Sequence, residues 1–319
     1  MGKMQWLGGF LNLLCLVSAC RNFEWAENST EKSESAAVPA APQHLLATGR
    51  NAENQLIWGT VAGATAYKIY FSTSAGVTKA TGTPINGVTS PYTHTGLTNN
   101  AVYYYAVVAI NAGGESVFSN EASGMPATAR KIFVSSASYN GNIGGLATAN
   151  ANCQTLAGAA GLPGRFKAYL STQVTDAACN ILGLSGKKAS NCGLSYTPPF
   201  DTSIPAQNTA GQNIQTHLHN LIHADGGGIN CGAGNAICNG IGYNESGGSA
   251  SAQIRTITTT GGVLASDPAG HTACQDLTLG SNDGFGTLYG TSYDINNWWY
   301  SAGWGDNCGT SMRIYCIQQ

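Results

Sequence analysis

Two histidines four residues apart, His219 and His223, could hold a metal ion if the chain around them is helical. The apolar residues Ile214, Leu218, Leu221 and Ile222 form one stripe, which predicts a helix over Asn213 to Ala224 with both imidazoles on its solvent side, one turn apart. With Asp225 beside them, the pair could ligate zinc and activate water. His217 projects elsewhere on such a helix, and no Glu follows His219 to act as a base, so two solvated histidines are the plainer reading. A second chemistry lies in the acids. Beyond residue 130 there are eight Asp and a single Glu, with Asp267, Asp276, Asp283, Asp294 and Asp306 read in loops among Asn and Gly. Such hard oxygen donors suit calcium, although Asx turns use the same residues without any metal. A third candidate is the cluster Trp298, Trp299, Tyr300 and Trp304, which is too dense to point inward from one strand and would leave a platform for a glycan or a protein partner. Elsewhere His44 and His94 are possible general bases, each read as a solvated loop residue. Gly226-Gly227-Gly228 lacks the strand-turn-helix setting of a phosphate loop.

Cysteines decide how such residues would be held in place. The chain has 10, of which Cys15 and Cys20 lie near its start. The other eight (Cys153, Cys179, Cys192, Cys231, Cys238, Cys274, Cys308 and Cys316) all follow residue 150. No Cys-x-x-Cys occurs, which disfavours a zinc ribbon or a dithiol redox site. An even number in a Gly-rich region points to disulfides and an oxidising compartment, with spacing alone leaving the pairing open. Only 9% of residues are charged, against about 25% in an ordinary soluble domain, and the net charge is -2. Neither value fits a nucleic-acid surface. The 42 glycines show no three-residue period, which excludes collagen, and 43% hydrophobic residues exclude wholesale disorder.

At the start, Lys3 precedes an apolar stretch from Trp6 to Val17, shorter than the ~20 residues that cross a bilayer but suited to a signal peptide. Val17-Ser18-Ala19-Cys20 resembles the bacterial lipobox. The resemblance implies cleavage before Cys20, acylation of its thiol (palmitate among the acyl groups), and a protein tethered to a membrane, with the outer membrane or cell surface as the expected location. Residues 1–20 are then the signal peptide. Residues 21–38 read as a flexible stalk, rich in Glu, Ser and Asn and without apolar periodicity.

Residues 39–127 alternate at period two: Leu56 and Trp58, then Tyr67, Ile69 and Phe71, then Tyr103, Tyr105, Val107 and Ala109. Gly, Asn, Thr and Pro clusters separate these runs, predicting an antiparallel sandwich. Pro39 and Pro42, the buried-type Trp58, Ala66-Tyr67, Thr95-Gly96-Leu97 with Tyr103, the Val108–Ser116 hairpin and Pro126 resemble a fibronectin type III domain. The fold implies no activity by itself, and a spacer role is the plain expectation.

Residues 130–319 open with a strand, Lys131 to Ser135, followed by a helix from Leu146 to Ala160 whose stripe is Leu146, Ala149, Cys153, Leu156 and Ala160. Phe166, Ala168 and Leu170 mark a second strand, and Met312, Ile314 and Cys316 a closing one. Strand, helix, first cysteine and a last cysteine on the closing strand resemble the α+β C-type-lectin-like, or endostatin-like, fold. Lys131–Ser136, Tyr139–Leu146, Ala151–Gln154, Ala159–Gly164, Phe166–Ser171, Asn296–Trp298 and Ile314–Gln318 resemble more closely a domain family of leptospiral-type spirochaete lipoproteins. Carried over from the lectin-like fold, the resemblance implies the pairs Cys153–Cys316 and Cys274–Cys308; proximity adds Cys179–Cys192 and Cys231–Cys238. Trp304-Gly305-Asp306-Asn307-Cys308 is similar to the Trp-Asn-Asp segment of calcium-dependent lectins, although their partner Glu-Pro-Asn loop is missing. The expected protein is therefore multidomain, an all-β fibronectin type III sandwich followed by a disulfide-stapled C-type-lectin-like head. It would be a surface-anchored, non-enzymatic adhesin that binds a host matrix protein or glycan through Trp298, Trp299, Tyr300, Trp304, Asp306 and Asn307. Calcium is the first cofactor to consider and zinc, through His219 and His223, the second. A zinc-dependent hydrolase and a purely structural envelope protein are the alternatives.

Overall fold

Alternating side chains between Leu46 and Gly124 build two antiparallel sheets. The computed structural model describes residues 36–200, 205–215, 243–250, 253–255, 286–291 and 303–319. The first strands are β1 (Leu46–Arg50), β2 (Glu53–Ile57), β3 (Ala66–Ser72), β4 (Thr83–Val88), β5 (Tyr92–Thr95), β6 (Tyr103–Asn111), β7 (Gly114–Glu115) and β8 (Ala122–Gly124). One sheet is ordered β1-β2-β5 and the other β4-β3-β6-β7, with β8 also on β6. Between them lie Leu45, Leu56, Trp58, Ile69, Val88, Tyr105 and Val107. The Trp58 ring meets Tyr67 edge-on at 5.5 Å, and the Thr98 amide donates to the Tyr103 hydroxyl at 3.1 Å. The outer face of β3 and β6 is covered as well: Ala106 and Val108 are buried with Tyr70 and Val77, and Phe118 packs on them. This strand order is that of a fibronectin type III-like domain.

Of the stalk expected over residues 21–38, only Ala36, Ala37 and Val38 are among the described residues. The Asn111 side-chain amide donates to the Ala37 carbonyl at 2.8 Å, and a Cβ on Gly113 would meet the Ala36 carbonyl oxygen at 1.9 Å. From Ala36 the chain is thus held against the β6–β7 hairpin, and the remainder of the expected stalk lies outside the described residues.

Beyond the sandwich come β9 (Arg130–Val134), α1 (Gly145–Ala159), β10 (Phe166–Ala168), the short α2 (Ala177–Ile181) and tight turns over Lys188–Gly193. There follow β11 (Ala206–Asn208), β12 (Asn213–Gln215), β13 (Gln253–Arg255), β14 (Gly286–Thr291), β15 (Gly303–Asn307) and β16 (Tyr315–Gln318). The main sheet runs β10-β16-β9-β11-β12, and β13-β14-β15 form another. Central strand β9 is apolar on both faces, as a strand covered on both sides must be. Ile132 and Val134 join Tyr169, Ile181, Ile214, Tyr315 and Ile317 on one side. Phe133 joins α1 on the other, with Phe166, Leu170 and Ile314.

Small residues let α1 approach this sheet. Its buried positions are Ala149, Cys153 and Ala157, so Ala157 takes the place predicted for Ala160, while Leu146 and Leu156 are only partly buried. Gly161 ends the helix at φ 69°. The helix predicted from Asn213 is overturned at its first residues, because Asn213–Gln215 is strand β12, paired antiparallel with β11. A short apolar run fits either period, and here sheet pairing with Ile214 fully buried wins over helical propensity.

Cys153 and Cys316 are joined across 163 residues, and Cys179 and Cys192 across 13. Replacing Cys153 and Cys316 together by Ala is expected to cost about 5 kcal/mol, and Cys179 with Cys192 about 3 kcal/mol, because the longer loop regains more chain entropy. Denaturant titration of the two double variants checks the order.

Candidate functional site

The sandwich and the C-terminal sheet, both within the unit Ala36–Gln319, meet at Arg130, the first residue of β9. Its side chain is buried, 1% exposed. Nη2 donates to the Gly49 carbonyl at 2.7 Å and Nη1 to the Met125 carbonyl at 3.1 Å. Among the described residues Nε has no hydrogen-bond partner. Burial lowers the guanidinium pKa to about 10, which leaves it charged at neutral pH. A Cβ on Gly49 would come within 2.0 Å of the Met125 oxygen, so only glycine permits this approach. Around it, the Ala127 amide donates to Arg50 and the Arg130 amide to Pro205. The Tyr196 hydroxyl donates to the His44 carbonyl.

Beside this joint is a cleft of about 420 Å³. The sandwich contributes Gln43, Asn120 and Glu121 to its lining, and the C-terminal region Arg130, Arg165 and Lys167. Asn120 is held by reciprocal bonds to the Leu45 backbone, each 2.9 Å. Glu121 accepts from the Gly76 and Val77 amides at 2.8 Å. Arg165, just before β10, and Lys167 on it flank the buried Phe166, and both line the cleft. Burial, and then the charge of Arg165, hold the Lys167 ammonium below its ordinary pKa. An opening lined in this way offers charged donors to an anion. Sequence reading missed it because an Arg opening a strand and an Arg-x-Lys pair look like ordinary solvated positions; the usable signal was the alternation around Phe166.

Of the residues singled out beforehand, Cys153 with Cys316 and Cys179 with Cys192 are brought together. Cys308 is disulfide-bonded, while Cys274, its expected partner, lies outside the described residues, as do Cys20, Cys231 and Cys238. His219, His223, Trp298, Trp299 and Tyr300 lie outside them too. Trp304, Asp306 and Asn307 sit on β15, opposite Leu288, Thr287 and Gly286 of β14, and the register skips Gly305. Asp306 is therefore on a bulged strand, not in the loop expected for it. Among the described residues no group of three or more His, Cys, Asp or Glu could hold a metal ion, and no helix is long and apolar enough to cross a membrane.

His94 is also corrected. It lies on β5, with its ring 4.4 Å from that of Phe71 and its Nδ1 3.1 Å from the Tyr105 hydroxyl. Burial lowers its pKa. His44 is exposed, with φ 57°.

No family model and no curated protein matches the chain. Among solved structures, an Fn3-like protein from Clostridium thermocellum is 33% identical, covering 28% of this chain and 95% of that one, with a TM-score of 0.26. The structure of FN3tt is 28% identical over 29% of this chain and 98% of its own, with a TM-score of 0.25. A beta-1,2-glucanase from Parabacteroides distasonis is 22% identical over 28% of this chain and 13% of its own, with a TM-score of 0.26.

Two outcomes follow from this geometry. Arg130→Met leaves the Gly49 and Met125 carbonyls unpaired and is expected to lower stability by about 1–3 kcal/mol, read from the denaturant midpoint. His94 binds a proton more readily in the unfolded chain than in the folded one. Its contribution is therefore complete above about pH 6.5 and is lost as the pH falls through that value; thermal melts of the parent and His94→Gln across this range are expected to converge at the acid end.

Proposed function

We propose that this chain is an exported, acyl-anchored binding protein, not an enzyme, whose residues 130–319 form a C-type-lectin-like head recognising an extracellular protein or glycan. The observation that carries the reading is the closure of that region on itself. Opening strand β9 lies antiparallel beside closing strand β16, and the first and last cysteines, Cys153 and Cys316, lock α1 to β16. A scaffold closed in this manner leaves the chain between the two ends to form a contact surface, with Trp298, Trp299, Tyr300, Trp304, Asp306 and Asn307 as the anchors. Calcium, if used, would be held by the Asp-rich stretch that includes Asp306. The lipobox residues Val17-Ser18-Ala19-Cys20 support tethering to an outer membrane or cell surface, and the fibronectin type III-like sandwich lifts the head from it.

Cells expressing the full chain are expected to incorporate labelled palmitate at Cys20 and to lose both label and membrane partitioning on Cys20→Ala. The mature chain, tested on immobilised matrix proteins and a glycan array with and without calcium, is expected to bind at least one of them saturably. The Trp298→Ala, Trp304→Ala double variant is expected to bind it at least about tenfold more weakly, as for loss of aromatic anchors. Lack of saturable binding across both panels overturns the reading.

A further inference from the structure

We propose that the cleft between the sandwich and the C-terminal sheet binds a small ligand bearing a sulfate or carboxylate group, with Arg165 and Lys167 as its cationic wall and the charge of buried Arg130 behind them. This site is separate from the aromatic surface proposed above and stands without it. Its volume of about 420 Å³ falls within the ~300–1,000 Å³ of small-molecule sites. The chain has only 14 Lys and Arg and a net charge of -2, yet Arg130, Arg165 and Lys167 all line one opening, where among the described residues Glu121 is the one acidic side chain. That acid already accepts two backbone amides of the sandwich.

Among the described residues, none of the three cations forms an ion pair. The ion pairs Arg50–Glu53, Lys68–Glu115, Lys79–Glu115 and Lys187–Asp176 all lie away from these three cations. Arg130 is the most constrained of the three, since it is fully buried, bonds only neutral carbonyls and leaves Nε unpartnered. A desolvated charge without a counter-charge is costly, and the repulsion between neighbouring Arg165 and Lys167 adds to that cost. An oxyanion would relieve both, and the planar guanidinium of Arg165 suits the two-oxygen edge of a sulfate or carboxylate. Lys167 supplies a point charge beside it. The wall is also built on rigid elements: Phe166 is buried in the core between the two cations, and the Gln319 amide donates to the Arg165 carbonyl at 2.8 Å.

The test is calorimetric titration of the disulfide-intact chain with inorganic sulfate, with glucuronate, and with a sulfated and an unsulfated neutral disaccharide. Saturable binding of sulfate or glucuronate, weakening as sodium chloride is raised, is expected. The Arg165→Gln, Lys167→Gln double variant is expected to bind at least about tenfold more weakly. Binding of the sulfated but not the unsulfated disaccharide assigns recognition to the anion. The unliganded double variant, freed of its like-charge pair, is expected to melt no lower than the parent. The proposal is overturned by absence of binding to every anionic probe, by equal affinity in the double variant, or by a lower melting temperature in that variant, which would mean that the cations are already paired.

Discussion

A buried guanidinium bonded to two backbone carbonyls joins the sandwich to the C-terminal sheet. Placing Arg130 at the joint is favourable only because two backbone carbonyls, from Gly49 on β1 and Met125 just after β8, meet its Nη atoms. Those carbonyls in turn require β1 and β8 to approach so closely that no side chain fits at residue 49. The neighbouring backbone is committed as well: Met125 to Arg130 is tied to Arg50 on one side and to Pro205 on the other, and the Lys131 amide donates to the Gln318 side chain. A short linker with polar groups paired in both directions cannot act as a free hinge. The sandwich is therefore a stiff extension of the C-terminal region and not a bead on a string.

The C-terminal region compensates differently for its scarcity of large side chains. One sheet is buried on both faces, so that β9 and β16 each serve two cores. Alanine and cysteine on α1 allow close approach in place of bulk, and Cys153 extends that packing into a covalent link. Near α2, the buried Asp176 carboxylate accepts from the Lys188 amide and from the Lys187 ammonium, and the Cys179–Cys192 bridge closes the same loop. Few charges are used, and those that are buried have specific duties.

Much of the sandwich was legible because its strands obey a strict alternation and its turns carry their own residues; Trp58, Ile69 and Tyr105 are buried where period two puts them. The same rule could have placed His94, since Tyr92-Thr93-His94-Thr95 alternates and sets His94 on the face of Tyr92. Reading it as loop ignored that pattern. In α1 the helix was evident but its rotation was not, because several alanines and two leucines fit more than one stripe, and the sheet selected Ala157. The segment at Asn213 failed for a stronger reason: three residues of sheet pairing with β11 are a tertiary fact that no local period reports. The cleft was illegible because it is made by elements far apart in the chain. Arg130, Arg165 and Asn120 acquire a common meaning only once the joint is built.

The position of β16 between β10 and β9 has a temporal consequence. All pairing partners of the sandwich are present once residue 124 has been made, whereas the main sheet lacks an inner strand until residues 315–318 arrive. During synthesis the Cys153 thiol emerges unpaired while the whole intervening stretch follows, and Cys179 meets Cys192 long before Cys316 exists. Productive maturation therefore favours machinery that delays or reshuffles early oxidation, so that the first thiol waits for the last.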